Sequence, residues 1–370
     1  MHERAFEIFL TAPPGLELAL KQEVLACGFP KPKAMVGGVR FRGKWPDVWR
    51  ANLEIRGAAR VLARVARFQA MHLDQLEAQT HELDWNKVLR PGVAVEVEAT
   101  SHKSKIYHQG AAAERVARAV QDVTGAPAAG EPPLRLHLRI EDNQCTLSVD
   151  TSGELLHKRG HKGAVGKAPM RENLAALFLR QCGYDGTEPV VDPMCGSGTF
   201  VIEAAEIAAG LKPGRSRRFA FEDLASFDAD AWSKLRSAGG PAETSFRFYG
   251  SDRDAGAVAS ARANAERAGV SHLTDFAQHA VSDLEPPDGA PGLVIVNPPY
   301  GARIGEKKQL YGLYGALGKT LLDRFSGWRV GIVTSETGLV KATGLPFRPV
   351  GTPVSHGGMK VRLFKTEELR

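Results

Sequence analysis

The sequence has no long hydrophobic run, and its cysteines are few and far apart. No stretch of about eighteen apolar residues occurs in the 370 residues, so we expect no membrane-spanning helix. The N-terminus carries acidic residues and no small-residue cleavage site, unlike a secretory signal. The four cysteines, none in a CxxC pair, are Cys27, Cys145, Cys182 and Cys195. We therefore expect neither a disulfide framework nor a metal site, and a reducing cytoplasm fits.

Negative charge is in deficit, because 48 Lys and Arg residues outnumber 42 Asp and Glu residues and give a net charge of +6. Between Thr151 and Arg180 there are two acids and six cations, which are Lys158, Arg159, Lys162, Lys167, Arg171 and Arg180. Two arginine clusters lie elsewhere, one at 215, 217 and 218 and one at 56, 60, 64 and 67. Each cluster alone fits a solvated surface, but several in one chain favour a polyphosphate partner.

The first 150 residues mix short strands with helices, which indicates an α+β region. Alternating apolar residues predict strands at 6–10, 36–42 and 93–97, and a hairpin from 134–140 and 145–149. Helical spacing predicts helices over 13–27, 48–55 and 110–123. The arginine-rich residues up to Arg67 fit either a helix or a strand. The Pro/Ala/Gly composition of 126–133 predicts a linker.

From residue 171 onward, buried strands alternate with helices, which is typical of a doubly wound parallel sheet. The predicted strands are 190–191, 246–249, 293–296 and 330–334, with one more before Asp283. The predicted helices are 171–181, 197–209, 254–268 and 310–325. A terminal hairpin from 350–354 and 359–364 completes the pattern.

A glycine loop directly follows the first of these strands and directly precedes a helix. It consists of Asp192, Pro193, Met194, Cys195, Gly196, Ser197, Gly198 and Thr199. Glycines allow the backbone to approach a ligand, and the helix start presents free N–H groups. The spacing matches neither GxxxxGK[ST] nor GxGxxG, and Asp192 would repel a pyrophosphate. A cationic or hydroxyl-rich ligand therefore suits this loop better, and a plain tight turn is the alternative.

Two further acids follow the next strands. Asp252 ends the second strand, where a carboxylate can accept hydrogen bonds from both hydroxyls of a ribose. The alternative role, capping the following helix, can be filled by Asp254 instead. Asp283 follows the third strand and could reach an adenine amino group, but His279 lies in the same region and leaves that choice open.

The fourth strand is followed by Asn297, Pro298, Pro299 and Tyr300. The two prolines fix the backbone and remove two donors, so carbonyls stay available. The Asn297 side-chain oxygen and the Pro298 carbonyl can together accept hydrogen bonds from one planar amino group, and Tyr300 can stack on a base. An amine held in this way would present its lone pair to a methyl donor, with positioning as the main source of catalysis. A rigid turn without such a role is the alternative.

These motifs resemble a known family. The glycine loop resembles motif I of class I S-adenosylmethionine-dependent methyltransferases, and 297–300 resembles their amine-methylating motif IV. Residues 156–160, 168–175 and 192–199 together resemble the THUMP-domain RNA guanine methyltransferases, which include the bacterial 23S rRNA enzyme and archaeal tRNA relatives. The resemblance is strong from about Leu155 onward and looser before it, where the chain resembles a ferredoxin-like piece followed by a THUMP domain.

The resemblance implies a fold, a donor and an acceptor. The fold is a Rossmann-like class I methyltransferase with a mostly parallel seven-stranded sheet and a C-terminal antiparallel hairpin. The domains expected are ferredoxin-like at 1–58, THUMP at 59–152 and methyltransferase at 153–370. S-adenosylmethionine is the implied donor, held at its methionine end by the 192–199 loop and at its ribose by Asp252, with Asp283 at the adenine. Asn297, Pro298, Pro299 and Tyr300 then hold and stack the target base.

The implied acceptor is the 2-amino group of a guanine in structured RNA, with 23S rRNA placed first and tRNA as the alternative. A basic N-terminal module can offset the cost of base flipping through backbone contacts, for which Lys103, Lys105, Arg115, Arg118 and the 157–171 segment are candidates. The enteric 23S rRNA enzyme has a second methyltransferase half and this sequence has one, so the target nucleotide stays open. The sequence does not set the oligomeric state. A DNA adenine methyltransferase, a protein glutamine methyltransferase and a non-catalytic RNA-binding factor are the weaker alternatives.

Overall fold

The computed structural model describes residues 4–125, 127, 133–163, 170–301 and 307–370. Most of the predicted linker at 126–133 lies outside these residues, as do Lys167 of the basic cluster and Ala168 and Pro169 of the 168–175 motif. The chain forms two compact units. The first contains Met1–Ala12, Val24–Leu156 and Gly214–Ala238, and the second contains Pro13–Glu23, His157–Pro213 and Gly239–Arg370. The domain boundaries at 58/59 and 152/153 stay predictions.

A seven-stranded sheet with strand order β2-β3-β1-β4-β7-β6-β5 forms the centre of the first unit. Its strands are β1 Phe6–Thr11, β2 Lys33–Met35, β3 Gly38–Gly43, β4 Arg60–Gln69, β5 Val95–His102, β6 Leu134–Glu141 and β7 Gln144–Asp150. The helices of this part of the chain are α1 Glu17–Ala26, α2 Trp45–Glu54, α3 Leu73–His81 and α4 Gln109–Thr124. The sequence predicted α1, α2, α4 and the β6–β7 hairpin close to these bounds, but it missed α3.

Arg60, Arg64 and Arg67 of the arginine cluster lie in strand β4, not in a helix, and Arg56 precedes the strand. Arg64 lies opposite Glu7 in the antiparallel β1–β4 pair and forms an ion pair with it. Arg60 forms an ion pair with Asp150 of the same sheet. The side chain of Asp150 is almost fully buried. Cross-strand pairing therefore uses these arginines inside the sheet. The helix alternative was wrong because the spacing of the charges carried no information about their strand partners.

An aromatic cluster attaches residues 214–238 to the first unit. Phe219 and Phe221 are stacked with their ring centroids 5.2 Å apart, and Trp232 meets Phe221 edge-on at 4.9 Å. Phe221 also lies 6.1 Å from Trp49 of α2. Phe221 is fully buried, and its segment adds a helix, α7 Ala229–Ser237, that the sequence did not predict.

The second unit contains another seven-stranded sheet, with strand order β10-β9-β8-β11-β12-β14-β13. Its strands are β8 Val190–Asp192, β9 Phe248–Asp252, β10 Thr274–Gln278, β11 Leu293–Val296, β12 Arg329–Thr334, β13 Arg348–His356 and β14 Met359–Lys365. Its remaining helices are α5 Glu172–Gln181, α6 Thr199–Ala208, α8 Ala255–Ala268, α9 Lys307–Arg324 and α10 Thr337–Ala342. The predicted order of strands and helices is confirmed, except that α10 was missed.

Five strands of this sheet are parallel, and the closing hairpin is antiparallel. β8 and β9 pair side by side, while the chain continues on the other side of β8 with β11. The direction of strand addition thus reverses at β8, and ligands of open α/β sheets bind at the carboxyl ends of the strands at such a point. The glycine loop leaves β8 at this edge.

The described residues contain neither a helix that could span a membrane nor a three-ligand metal cluster. In that part of the chain, none of the helices is both long and apolar enough to cross a bilayer. Among the same residues, no group of three or more His, Cys, Asp or Glu side chains is arranged to hold a metal ion.

Candidate active site

The glycine loop turns its backbone N–H groups toward two carboxylates. The Met194 N–H donates to Asp192 at 3.1 Å, and the Gly196 N–H donates to Asp252 at 3.0 Å. Gly196 and Gly198 both adopt positive φ, at 52° and 83°, which glycine reaches without strain. Because these amides already hold carboxylates, the loop is not built to cradle a phosphate. This arrangement supports the sequence argument against a pyrophosphate ligand.

Asp192 is buried at the end of β8, with 2% of its surface exposed. Burial raises the pKa of its carboxyl to about 8; the Met194 N–H lowers the pKa in part, and the nearby Asp252 adds to the increase. Burial therefore favours the protonated form of Asp192 far more than that of an exposed aspartate. The neighbouring Cys195 thiol is also buried, and burial together with both carboxylates raises its pKa. A thiol in that environment is a poor nucleophile.

Asp252 ends β9, one strand away from the loop. Besides the Gly196 N–H, its carboxylate accepts the Asp254 N–H at 3.0 Å. Asp254 caps α8 by accepting the Gly256 N–H at 2.8 Å, so Asp252 is not needed as the helix cap. The Asp252 carboxylate thus connects the loop to the end of the second strand.

The structure distinguishes the surroundings of His279 and Asp283. His279 follows β10 directly, and its N–H donates to the carbonyl of Asp252 at 3.2 Å. Asp283 is exposed on the single-turn helix Val281–Asp283, where it accepts the Ser282 hydroxyl. Among the described residues, no hydrogen bond or ion pair joins Asp283 to the 192–199 loop. Its role at an adenine stays a prediction.

The Asn297–Tyr300 turn follows β11 at the same edge of the sheet. The Oδ1 atom of Asn297 is buried and accepts no hydrogen bond in the described structure, although buried polar atoms are normally paired. Pro298 is buried, and Tyr300 is half-buried, which raises the pKa of its hydroxyl. An unpaired amide oxygen beside a partly open aromatic ring can accept a donor from a planar ligand.

One hydrophobic cluster packs beneath both the loop and the turn. Its buried residues include Val191 of β8, Val294 and Val296 of β11, and Tyr314 of α9. Met194 of the loop and Tyr300 of the turn both pack against this cluster. The structure therefore brings together the two motifs that the sequence predicted to cooperate, although they are about one hundred residues apart.

Two supports of the turn were not predicted from the sequence. The Tyr314 hydroxyl lies 3.4 Å from the Pro299 carbonyl and 3.2 Å from the Thr334 hydroxyl. Glu336 accepts the Gly301 N–H at 3.2 Å. The available signal was a polar run, residues 334–336, at the carboxyl end of β12, next to the strand that carries Asn297.

Several predicted phosphate contacts are engaged within the protein. Arg159 is buried and paired with Glu203 at 3.2 Å. Lys162 is paired with Glu172 at 3.3 Å, and its ammonium also donates to Thr199 Oγ1 at the end of the glycine loop. These internal contacts occupy Arg159 and Lys162, and phosphate contact by the 157–171 segment stays a prediction.

The other basic residues also divide into side chains paired within the protein and side chains that are exposed. Arg217 donates to the carbonyls of 152, 154 and 155, and Arg115 pairs with Asp74 and Glu77. Arg118 lies 4.0 Å from Glu77. Arg171, Lys103 and Lys105 are more exposed and keep their place as candidate phosphate contacts.

Comparison with protein families divides the chain into three matched regions. Residues 7–62 match the RlmL ferredoxin-like domain, and residues 70–150 match the THUMP domain. Residues 159–350, more than half of the chain, match the RMKL-like methyltransferase domain.

Similar curated proteins include a putative RNA methyltransferase of Synechocystis sp., 31% identical over 97% of this chain and 96% of its own length. The ribosomal RNA large subunit methyltransferase K/L of Syntrophotalea carbinolica is 37% identical over 92% of this chain. The chain spans about half the length of that enzyme and of its counterparts in several other bacteria.

Solved structures share the whole architecture. A putative methyltransferase complexed with SAH superposes with a TM-score of 0.88 at 28% identity, covering 100% of this chain and 99% of the other. A protein of Listeria monocytogenes described as a predicted N6-adenine-specific DNA methylase superposes with a TM-score of 0.87 at 29% identity, covering 99% and 97%. TrmN from Thermus thermophilus, at 22% identity and a TM-score of 0.75, shows the same fold.

Proposed function

The chain belongs to the RMKL-like methyltransferase family, and from that premise we propose that it transfers a methyl group from S-adenosylmethionine to the 2-amino group of a guanine in structured RNA. The RNA placed first is 23S rRNA, with tRNA as the alternative. The observation that carries the amine as acceptor is the buried, unpaired Oδ1 of Asn297 at the carboxyl edge of β11.

The residues at the β8 edge fit the proposed donor. A Cβ built on Gly196 would have no atom within 4 Å, so space lies open beside the loop. The Ser251 hydroxyl is buried and unpaired in the described structure, next to Asp252. We assign the 192–199 loop to the methionine end and Asp252 to the ribose, with Asp283 proposed for the adenine. S-adenosylmethionine would supply an electrophilic methyl group on a sulfonium.

The turn supplies orientation for the acceptor. Asn297 Oδ1 and the Pro298 carbonyl can each accept one hydrogen from the guanine amino group, which directs the nitrogen lone pair toward the methyl group. Pro299 fixes the turn, and the Tyr300 ring stacks on the base. The new N–C bond forms as the S–C bond breaks, and the proton released from nitrogen passes to water. Positioning supplies most of the rate, because no ionised base is needed before transfer.

The N-terminal match supports RNA over DNA as the substrate. A THUMP domain at 70–150 and relatives named as RNA methyltransferases both favour RNA. The Listeria neighbour, described as a DNA methylase, makes duplex DNA the rival to be tested. A target base in a duplex of either kind must be flipped out, which costs a few kcal/mol.

The test is transfer of labelled methyl groups to three pools: deproteinised large-subunit rRNA, total tRNA and duplex DNA. Each pool is digested to nucleosides after reaction. We expect label in 2-methylguanosine from one RNA pool, and a loss of at least about 100-fold in Asn297→Ala, because the amine is no longer oriented. Asn86→Ala, at an exposed asparagine outside the turn, should keep wild-type activity.

The outcomes separate the substrates. Label in 2-methylguanosine from rRNA or from tRNA chooses between the two RNA classes. Label in methyladenine from DNA would overturn the proposed substrate. Label that persists in Asn297→Ala would overturn the role of the turn.

A further inference from the structure

Glu336 lies next to the amine-binding turn, and its support of that turn uses only one of its two carboxylate oxygens. It lies just beyond β12, the parallel neighbour of β11, in which Val296 is paired with Ile332. Its Oε1 atom accepts the Gly301 N–H at 3.2 Å, one residue after Tyr300. Glu336 precedes α10 but makes no side-chain cap hydrogen bond to that helix. Its carboxylate is therefore directed to the turn and not to its own helix.

The second carboxylate oxygen has no partner among the described residues. Among the described residues, Oε1 makes the only side-chain hydrogen bond of Glu336, and the side chain is partly exposed. Oε2 thus remains an acceptor at the rim of the turn. The turn beneath it is fixed, because the Tyr314 hydroxyl contacts both Pro299 and Thr334. The Gly301 N–H anchors the same carboxylate to this turn, which orients the second oxygen as a recognition group requires.

The guanine and adenine edges differ at the atom beside the reactive amine. In guanine, the 2-amino group neighbours N1–H, a hydrogen-bond donor. In adenine, the 6-amino group neighbours N1 with a lone pair, an acceptor. An Asn-Pro-Pro-Tyr turn does not distinguish the two amines, since its hydrogen bonds go only to the amino group and its tyrosine ring can stack on either base. A second acceptor beside the turn would distinguish the two bases, because a carboxylate attracts N1–H and repels the adenine lone pair.

We propose that Glu336 is the specificity-determining residue for guanine, accepting N1–H at Oε2 while Asn297 and Pro298 accept the two amine hydrogens. The inference rests on the function proposed above and names the group that selects the base. The amine cannot satisfy Glu336 in addition, because both of its hydrogens are already bound by the turn.

The experiment compares guanine with 2-aminopurine at the mapped target position of a ligated RNA fragment. 2-Aminopurine keeps the 2-amino group but has an acceptor at N1. We expect the wild type to prefer guanine by at least about 100-fold in kcat/KM, because a site built for a donor leaves its acceptor unpaired with the analogue. Glu336→Gln keeps an oxygen for Gly301 and offers an N–H to the analogue, so the preference should fall below about tenfold.

Two more variants separate recognition from support. Glu336→Ala removes the Gly301 contact as well, so we expect it to lower kcat with both bases while also reducing the preference. Glu367→Gln, at an exposed glutamate of the same unit, should leave the ratio unchanged. An equal preference in wild type and Glu336→Gln would overturn the role of Glu336 but leave the proposed function intact. Failure of the wild type to methylate any guanosine would overturn the proposed function itself.

Discussion

At the scale of single residues, Asp192 predicts a pH dependence with a definite sign. Its pKa rises from 3.8 to about 8 on folding, so the folded state binds more protons than the unfolded state between these values. Its contribution to the free energy of unfolding therefore falls as pH rises from about 4 to 8. The Asp192→Asn variant lacks this pH-dependent loss. The difference in unfolding free energy between variant and wild type should therefore shift in favour of the variant by at least about 1 kcal/mol from pH 5 to pH 9, which is the value of one pKa unit.

Urea unfolding of both proteins at pH 5, 7 and 9 measures that difference. Subtracting the two unfolding free energies at each pH cancels the contributions of the other titratable groups. A difference that does not change with pH would show that Asp192 is already ionised at pH 5. The same measurement with S-adenosylhomocysteine present tests whether the ligand shifts the titration.

Arg159 and Arg171 belong to one basic cluster, but substitution of the first should lower stability and substitution of the second should weaken RNA binding. The Arg159 side chain is 4% exposed and its partner Glu203 is 2% exposed. Arg159→Met removes the ion pair to a buried carboxylate and should cost about 3 kcal/mol or more of unfolding free energy. The exposed Arg171→Met should unfold as wild type does and bind RNA more weakly. Denaturation and filter binding of both variants provide the check, and equal stability losses would contradict it.

A functional residue could be predicted from the sequence when the residues that act with it are adjacent in the chain. The loop at 192–199 and the turn at 297–300 are continuous motifs, so their placement at strand ends was predictable. Glu336 and Tyr314 act on that turn from other strands and helices, and only the fold brings them there. Arg159 looked like a surface cation because its partner on α6 lies 44 residues away.

At the scale of elements, the sequence predicted best where apolar periodicity was strong. Four of the five parallel strands of the second unit, β8, β9, β11 and β12, are mostly buried and were predicted within a few residues, whereas β10 was placed only as a strand before Asp283 and is mostly exposed. The missed α3, α7 and α10 are 9, 9 and 6 residues long, and few of their side chains are buried. Short, mostly polar helices are stabilised by packing and have little periodic signal of their own.

The segment Gly214–Ala238 yields an element-level prediction. Phe221→Ala removes a fully buried ring of the first unit and should cost about 3–5 kcal/mol. Because Phe221 lies against Trp49, amides of α2 and β4 should lose hydrogen-exchange protection while β8 and β11 keep theirs. Phe325→Ala, at an equally buried ring of the second unit, should give the opposite pattern. Loss of protection in β8 and β11 on Phe221→Ala would contradict the assignment to the first unit.

At the scale of the whole molecule, the net charge of +6 predicts salt-sensitive RNA binding. Two or more phosphate contacts should weaken binding by about tenfold or more between about 50 and 200 mM salt, because counterions are released. Titration of a large-subunit rRNA fragment at several salt concentrations gives the slope. An affinity that holds constant over this range would show that phosphate contacts contribute little, and Arg171→Met should reduce the slope.

The interleaving of the two units along the chain has a consequence for synthesis. The chain passes between units five times, and the first unit is complete only at Ala238. All seven strands of its sheet have been made by Asp150, but Phe221 and Trp232, which pack near Trp49, come some seventy to eighty residues later. On the ribosome, where N-terminal parts fold first, Trp49 of α2 stays without these aromatic neighbours while β8 and the glycine loop emerge. A fragment ending at residue 156 would stop at that stage, so the first unit cannot be obtained intact by one cut in the gene.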